Sequence, residues 1–219
     1  MRNWNIPSRP EALIFDLDST LYDNSTYARF QTDILIERLA RERGETVASC
    51  KALIERIRQE RRRLEGSDTS LGNLFLALGI PMETSIAWRE ELIRPAEWLA
   101  PDARLDATLA ALARTFPLCL VTNNPRSVGL ASLEALGVSR HFPIVIGLDD
   151  TNRSKPDPAP FQLAAKRLGF KAQALVSIGD REDVDIRPAL GLGMGGILIT
   201  SVEEVYSLPS ILLSRFSGF

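Results

Sequence analysis

Asp16-Leu17-Asp18-Ser19-Thr20 holds the residue types of this chain best suited to chemistry. It follows the apolar run Ala12-Leu13-Ile14-Phe15. Strand side chains alternate between faces, so Asp16 and Asp18 leave the end of that run in the same direction. Two carboxylates held side by side resist joint ionisation, which makes the pair costly unless something uses it. A divalent cation relieves the repulsion, and a nucleophile beside a general acid exploits it.

Other polar residues stand at the ends of other apolar runs. Thr122-Asn123-Asn124 follows Leu118 to Val121. Gly179-Asp180 follows the run at 174–178, with Asp183 and Asp185 close behind. Lys155-Pro156 precedes the helical stretch that leads to that run. Open α/β sheets bind ligands beyond the carboxyl ends of their strands. Three carboxylates suit Mg²⁺, which takes few protein oxygens and keeps several waters. A hydroxyl, backbone N–H groups at a helix N-terminus and an ammonium suit a phosphate.

The elements that must position these residues are legible as a pattern. Short apolar runs at 12–15, 118–121, 144–146, 174–178 and 197–200 have strand length and little internal alternation, as expected for strands buried on both faces. Helical patterns lie between them, at 102–114, 127–136, 159–168 and 185–190. The alternation predicts an α/β fold, a doubly wound, Rossmann-like parallel sheet of five strands with right-handed crossovers. From 24 to 100 no strand is apparent, and helices are expected at 26–43, 47–64, 71–78 and 81–93. The expected organisation is a catalytic core of residues 1–23 and 101–219, with an all-helical cap of residues 24–100 inserted after the first strand.

Composition sets limits on function. Of 219 residues, 45% are hydrophobic and 25% charged, ordinary for a soluble globular protein. The net charge of −2 gives no reason to expect a nucleic acid polymer or an acidic membrane as partner. Two cysteines, Cys50 and Cys119, cannot build a disulfide framework or a zinc site by themselves. Residues 1–10 lack an apolar core of signal-peptide length, so a cytoplasmic location is the expectation. His141, the only histidine, is expected to be structural, and Arg61-Arg62-Arg63 a solvated helix face. The aromatic residues Tyr22, Tyr27, Phe30, Trp88 and Trp98 read as cap core and hinge packing. The C-terminal apolar stretch at 208–213 is expected to pack on the core, and the chain to be a monomer or a homodimer.

The set resembles the haloacid dehalogenase (HAD) superfamily of phosphohydrolases over nearly the whole chain. The motifs that carry the resemblance stand in order: DLDST at 16–20, Thr122-Asn123, Lys155-Pro156-Asp157-Pro158, and Gly179-Asp180 followed by Asp185. The resemblance implies that Asp16 is the nucleophile and forms an aspartyl-phosphate. It makes Asp18 the general acid and then the general base, and its backbone carbonyl a metal ligand. Thr122 and the Asn123 amide would hold the phosphoryl group, and Lys155 would neutralise nucleophile and phosphate. Asp16, Asp18, Asp180 and Asp185 would hold Mg²⁺, with Asp185 a ligand or an orienter of one.

Dehalogenases of this fold carry no acid at position 18, so Asp18 argues for phosphoryl chemistry. Phosphonatases use a cap lysine that forms an imine, and nothing around Lys51, the only lysine at 24–100, suggests a desolvated amine. The stretch 17–23 resembles the pyrimidine 5′-nucleotidase branch, as does 65–71 apart from Glu65 and Asp68. The expected function is a Mg²⁺-dependent phosphatase acting on a small phosphorylated metabolite, a nucleoside monophosphate in the first instance. The alternatives are a sugar phosphomutase and a binding protein on a phosphatase scaffold.

Overall fold

The computed structural model describes residues 1–66 and 69–213. Its centre is the strand β2 (Ala12–Phe15), buried along its whole length. Leu13 and Phe15 join one apolar cluster, and Ala12 and Ile14 join another on the opposite face. β3 (Leu118–Val121), β4 (Ile144–Ile146), β5 (Leu175–Gly179) and β6 (Gly195–Leu198) complete a parallel set in the order β6-β5-β2-β3-β4. Each expected strand is present, within two residues at either end.

The sheet has six strands rather than the five expected, and it is mixed. The addition is β1 (Arg2–Trp4), antiparallel to β6 and paired Arg2 with Leu198. Its side chains are largely exposed, so no apolar run marks it. A three-residue edge strand is held by backbone hydrogen bonds, to which side-chain patterning is blind. β6 likewise begins two residues before the expected run, at Gly195-Gly196. There the sequence suggests a turn, but packing demands the glycines. A Cβ at position 196 would stand 2.6 Å from Ile186 Cγ2.

The helices flank this sheet. Between β2 and β3 lie α1 (Ser25–Arg43), α2 (Val47–Glu65), α3 (Leu71–Ala77) and α4 (Met82–Leu92), followed by α5 (Ala103–Ala113). Asn24, Thr46 and Ser70 cap the first three through their side-chain oxygens, each accepting one of the orphan N–H groups of a helix start. α1 to α4 share an apolar cluster of their own, built on Leu35, Leu39, Ile54, Leu74, Phe75 and Trp88. Tyr27, Phe30 and Trp98 stack where this helical segment meets the sheet, and Asn24 donates to the Trp98 carbonyl at 3.0 Å. The two chain crossings between sheet and helical segment are thereby tied together.

α6 (Arg126–Ala135) and α7 (Ala159–Leu168) pack against β3 and β4. The single helix expected at 185–190 is split into a π-helical turn over Glu182–Ile186 and α8 (Arg187–Gly191). α9 (Val202–Tyr206) and α10 (Leu208–Leu212) close the described chain, and Leu208 and Leu212 are fully buried in the main core. His141 sits beside Asp106, Nε2 to Oδ1 2.7 Å. No described helix is long and apolar enough to cross a membrane.

Candidate active site

β2 neighbours β3 on one side and β5 on the other, so the chain reverses its direction of travel across the sheet at β2. Crevices at such a reversal, beyond the strand carboxyl ends, are where open α/β sheets bind ligands. Asp16 follows β2, Thr122 follows β3 and Asp180 follows β5, so all three stand at this end of the sheet.

Its centre is a buried charge cluster. Lys155 Nζ donates to Asp16 Oδ1 at 2.6 Å, to Asp185 Oδ1 at 2.7 Å and to the Val121 carbonyl at 2.9 Å. Lys155 and Asp185 are each 1% exposed, and Asp16 5%. Thr20 Oγ1 donates to the other oxygen of Asp16 at 3.2 Å. Asp185 Oδ2 accepts the Arg181 N–H at 3.1 Å. The structure therefore separates Asp185 from Asp183, which lies near the surface and pairs with Arg187 at 3.0 Å. The π-helical turn aims Asp185 inward while Asp183 faces out.

Carboxylate oxygens of Asp16, Asp180 and Asp185 all lie within 4.8 Å of one another. Asp180 Oδ1 is buried and has no hydrogen-bond partner. An orphaned carboxylate oxygen beside two more carboxylates is what a hard divalent cation would satisfy, so the donor set fits the metal that the sequence implies. The Asp18 carboxylate stands outside this trio, so the ligand expected of Asp18 is its backbone carbonyl.

The electrostatics agree. Burial pushes Asp16 up to about 7 against the pull of Lys155, with Asp185 and Asp180 adding to the rise. Burial, then Asp185, raises Asp180 to about 6. Burial works against the Lys155 ammonium, but Asp16 and Asp185 outweigh it and the net direction is up. Three carboxylates outnumber the two cations whose fields reach them, the Lys155 ammonium and the Arg181 guanidinium, so negative charge is in excess, and without a further cation the cluster keeps protons near neutral pH.

Gly179 holds Asp185 in place by lacking a side chain. A Cβ there would stand 2.4 Å from Asp185 Cβ and 2.7 Å from its Cγ. Gly179→Ala is expected to displace that carboxylate, lower affinity for a divalent cation at least about tenfold and cost about 1–3 kcal/mol. Gly191→Ala is the control, since nothing lies within 4 Å of its added methyl. Mg²⁺ calorimetry and melting curves of both variants check this, and equal affinities would contradict it.

Asp18 is held differently. It accepts from Tyr22 Oη, from Gln31 Nε2 at 2.8 Å and from Asn124 Nδ2 at 3.0 Å. Asn124 Nδ2 also donates to Gln31 Oε1 at 2.9 Å. Gln31 lies on α1, so the docking of the helical segment fixes the orientation of this carboxylate. Asn124 belongs to the polar run after β3, and Tyr22 follows the first motif. Gln31 carries no signal in the sequence, being one polar residue of a charged helix.

Thr122 Oγ1 accepts the Asn124 N–H at 3.1 Å. Its hydroxyl keeps a proton to donate. The Asn123 side chain accepts the Lys155 N–H at 2.8 Å and donates to the Lys155 carbonyl at 3.1 Å. Asn123 therefore clamps the backbone that carries Lys155. A cavity of about 250 Å³ opens over these residues, lined on the sheet side by Asp18, Asn124 and Asp180 and on the helical side by Gln31, Ser70 and Arg89.

The chain resembles known proteins along its length. The family of haloacid dehalogenase-like hydrolases matches residues 10–193. A phosphoglycolate phosphatase of Shigella boydii is 32% identical over 204 residues, covering 84% of this chain and 79% of the relative. One from Salmonella paratyphi A is 31% identical over the same shares. Among solved structures, a HAD phosphatase from Thermococcus onnurineus has the same fold, with a TM-score of 0.58, 20% identity and coverage of 92% of this chain and 97% of its own. A putative β-phosphoglucomutase from Thermotoga maritima reaches 0.57 at 21% identity, covering 92% and 99%. With its motifs gathered at one crevice and matched from residue 10 to 193, the chain belongs to the haloacid dehalogenase-like hydrolase family.

Proposed function

We propose that this chain hydrolyses a small phosphomonoester through an aspartyl-phosphate on Asp16, with Mg²⁺ as cofactor. It is a phosphoric monoester hydrolase. The observation that carries the reading is a single one: Asp16, buried at the end of the central strand, has one oxygen on the Lys155 ammonium and lies against Asp180 and Asp185. A carboxylate so placed is shielded from water and has its charge compensated as it meets a second anion.

In this reading Asp16 attacks phosphorus, and the ester oxygen leaves with a proton from Asp18. Asp18 then takes a proton from water as that water attacks the aspartyl-phosphate, releasing phosphate and restoring Asp16. The Thr122 hydroxyl and the Asn123 backbone N–H hold the phosphoryl oxygens, and Lys155 offsets charge on both reactants. Asp16, Asp180, Asp185 and the Asp18 carbonyl would hold Mg²⁺, which when bound would supply further positive charge for the phosphoryl group. Residues 24–100 act as the cap that excludes water.

The cavity favours a small ester. At about 250 Å³ it falls below the roughly 300–1,000 Å³ of sites for drug-sized ligands. Among the described residues no aromatic ring lines it, which leaves a nucleobase without a stacking partner there and lowers the case for a nucleoside monophosphate. Of the 65–71 stretch that resembles the nucleotidase branch, Ser67 and Asp68 lie outside the described residues. The relatives' name makes 2-phosphoglycolate the first ester to try.

The test is phosphate release from a panel of phosphomonoesters, a nucleotide and a sugar phosphate included, with Mg²⁺ and with chelator. Turnover that needs Mg²⁺ is expected. No turnover of any ester would overturn the reading, and isomerisation without phosphate release would mark a phosphomutase.

Metal binding should also follow pH. Mg²⁺ must displace the protons that Asp16 and Asp180 keep in the metal-free site. Affinity is expected to fall as pH drops from 8 to 5.5, by up to about tenfold per unit for each proton displaced. Folding shows the complementary trend. The folded-state value of Asp16 is raised, so its contribution to stability is present below the ordinary 3.8 and is lost as pH rises through about 7. Calorimetry in buffers of different ionisation heat reads the proton release directly. An affinity independent of pH would contradict the account.

A further inference from the structure

Arg89 on α4 is a buried cation with no carboxylate partner among the described residues. It is 5% exposed, and none of the ion pairs among the described residues involves it. Its Nη1 donates to the hydroxyl and, at 3.0 Å, to the carbonyl of Ser85, itself fully buried one turn earlier on α4. Its Nε and Nη2 have no acceptor among the described residues. Burial pulls the guanidinium down to about 10, so it remains charged at neutral pH. Among the described residues the carboxylate whose field reaches it is Asp18, which already accepts from three other donors.

A buried, uncompensated charge is expensive, and a fold keeps one where a ligand completes it. Arg89 lines the same cavity as Asp18 and Asp180, on the helical wall opposite the catalytic carboxylates. Ser85 engages Nη1 alone, and the other edge of the planar fork, Nε and Nη2, is left without an acceptor among the described residues. Such an edge matches a carboxylate in a two-point contact. The remaining helical wall offers Gln31, Thr32 and Ser70, which are neutral.

We infer that Arg89 forms a second anion subsite in the cap wall, which selects phosphomonoesters whose short organic part carries a carboxylate. This rests on the phosphatase reading for the reaction but not for the binding. Bringing Arg89 a partner is rewarded, while a neutral ester leaves it unpaired, and sites built around a charged contact reject analogues that lack it. Arg89 is a specificity residue, and no hydrogen bond joins its guanidinium to Asp16 or Asp18.

Two ligand pairs test this. In turnover, 2-phosphoglycolate is compared with ethyl phosphate, which lacks the carboxylate. Wild type is expected to favour the former at least about tenfold in kcat/KM, Arg89→Gln to bring that ratio toward one, and Arg89→Lys to retain part of it. In binding, the melting-temperature rise given by phosphonoacetate is compared with that given by ethylphosphonate, which requires no catalysis. Wild type should respond more to phosphonoacetate, and Arg89→Gln equally to both. A ratio unchanged in Arg89→Gln, or a wild type indifferent to the carboxylate in both assays, would overturn the inference. If Arg89→Gln fails to fold, the wild-type ligand pairs and Arg89→Lys still decide it. Absence of turnover with every ester, alongside a selective melting shift, would sink the phosphatase reading and leave the subsite standing.

Discussion

Asp16→Asn is expected to abolish phosphate release, lowering kcat by at least about 10³-fold while the fold survives. The substitution keeps the size of the side chain and removes its charge and nucleophilicity. The Thr20 contact at 3.2 Å can persist, while Lys155 keeps Asp185 at 2.7 Å as its anionic partner. Loss of the Asp16 charge also removes one of three carboxylates from the metal trio, so Mg²⁺ affinity should fall with activity. Saturating Mg²⁺ separates the two effects. Activity that returns toward wild type at high Mg²⁺ would make Asp16 a metal ligand alone. Trapping of labelled phosphate by wild type, and none by the variant, is the positive outcome.

Lys155→Met should produce the largest loss of stability. The ammonium is buried among Asp16, Asp185 and the Val121 carbonyl, and the variant leaves two buried carboxylates facing each other without the cation that hydrogen-bonds both. Removing one partner of a buried pair costs about 3–5 kcal/mol. For a domain of this size that is a fall of about 6–20 °C in Tm. The penalty has a pH signature. At pH 8 the carboxylates must stay charged or take up a proton at a cost, whereas at pH 5.5 protonation is cheap and the variant should recover part of the loss. Mg²⁺ should raise the Tm of the variant more than that of wild type, since it replaces the missing charge. Melting curves at the two pH values check this, and a Tm within about 2 °C of wild type at pH 8 would contradict it.

The core strands were readable because a strand buried on both faces must be apolar at every position, and Ala12–Phe15 and Leu118–Val121 are. β1 was not, because an edge strand is selected by backbone pairing and its side chains meet water. Gly195 and Gly196 mislead in the other direction. Their lack of side chains reads as a turn, yet it is the closeness of Ile186 and Asn5 that requires them. The split of the last core helix into a π-helical turn and α8 is likewise a matter of where Asp185 must point, which spacing alone does not convey.

The site divides along the same line. Asp16, Asp18, Thr122, Asn123, Lys155, Asp180 and Asp185 could be picked out because strand ends in an α/β sheet converge, whatever the side chains are. Gln31 and Arg89 could not, because each is a polar residue on a helix rich in polar residues. Only the docking of that helix brings them over the crevice. The sequence also left Asp183 and Asp185 open, and burial of the second against Lys155 separates them.

The sequence by itself determined the fold class, the insertion of four helices after the central strand and the residue types at the strand ends. These follow from periodicity and from motif order, which are local properties of the chain. Only the tertiary structure decided which charges meet. Lys155 joins Asp16 across 139 positions and Asp185 across 30, and Asn124 reaches Asp18 across 106. Charge pairing depends on distance and burial, and both arise when the sheet closes and the helices dock. The first pair of aspartates shows the result. Alike in sequence, Asp16 is set among carboxylates around an ammonium, and Asp18 among neutral donors, two environments suited to two different roles.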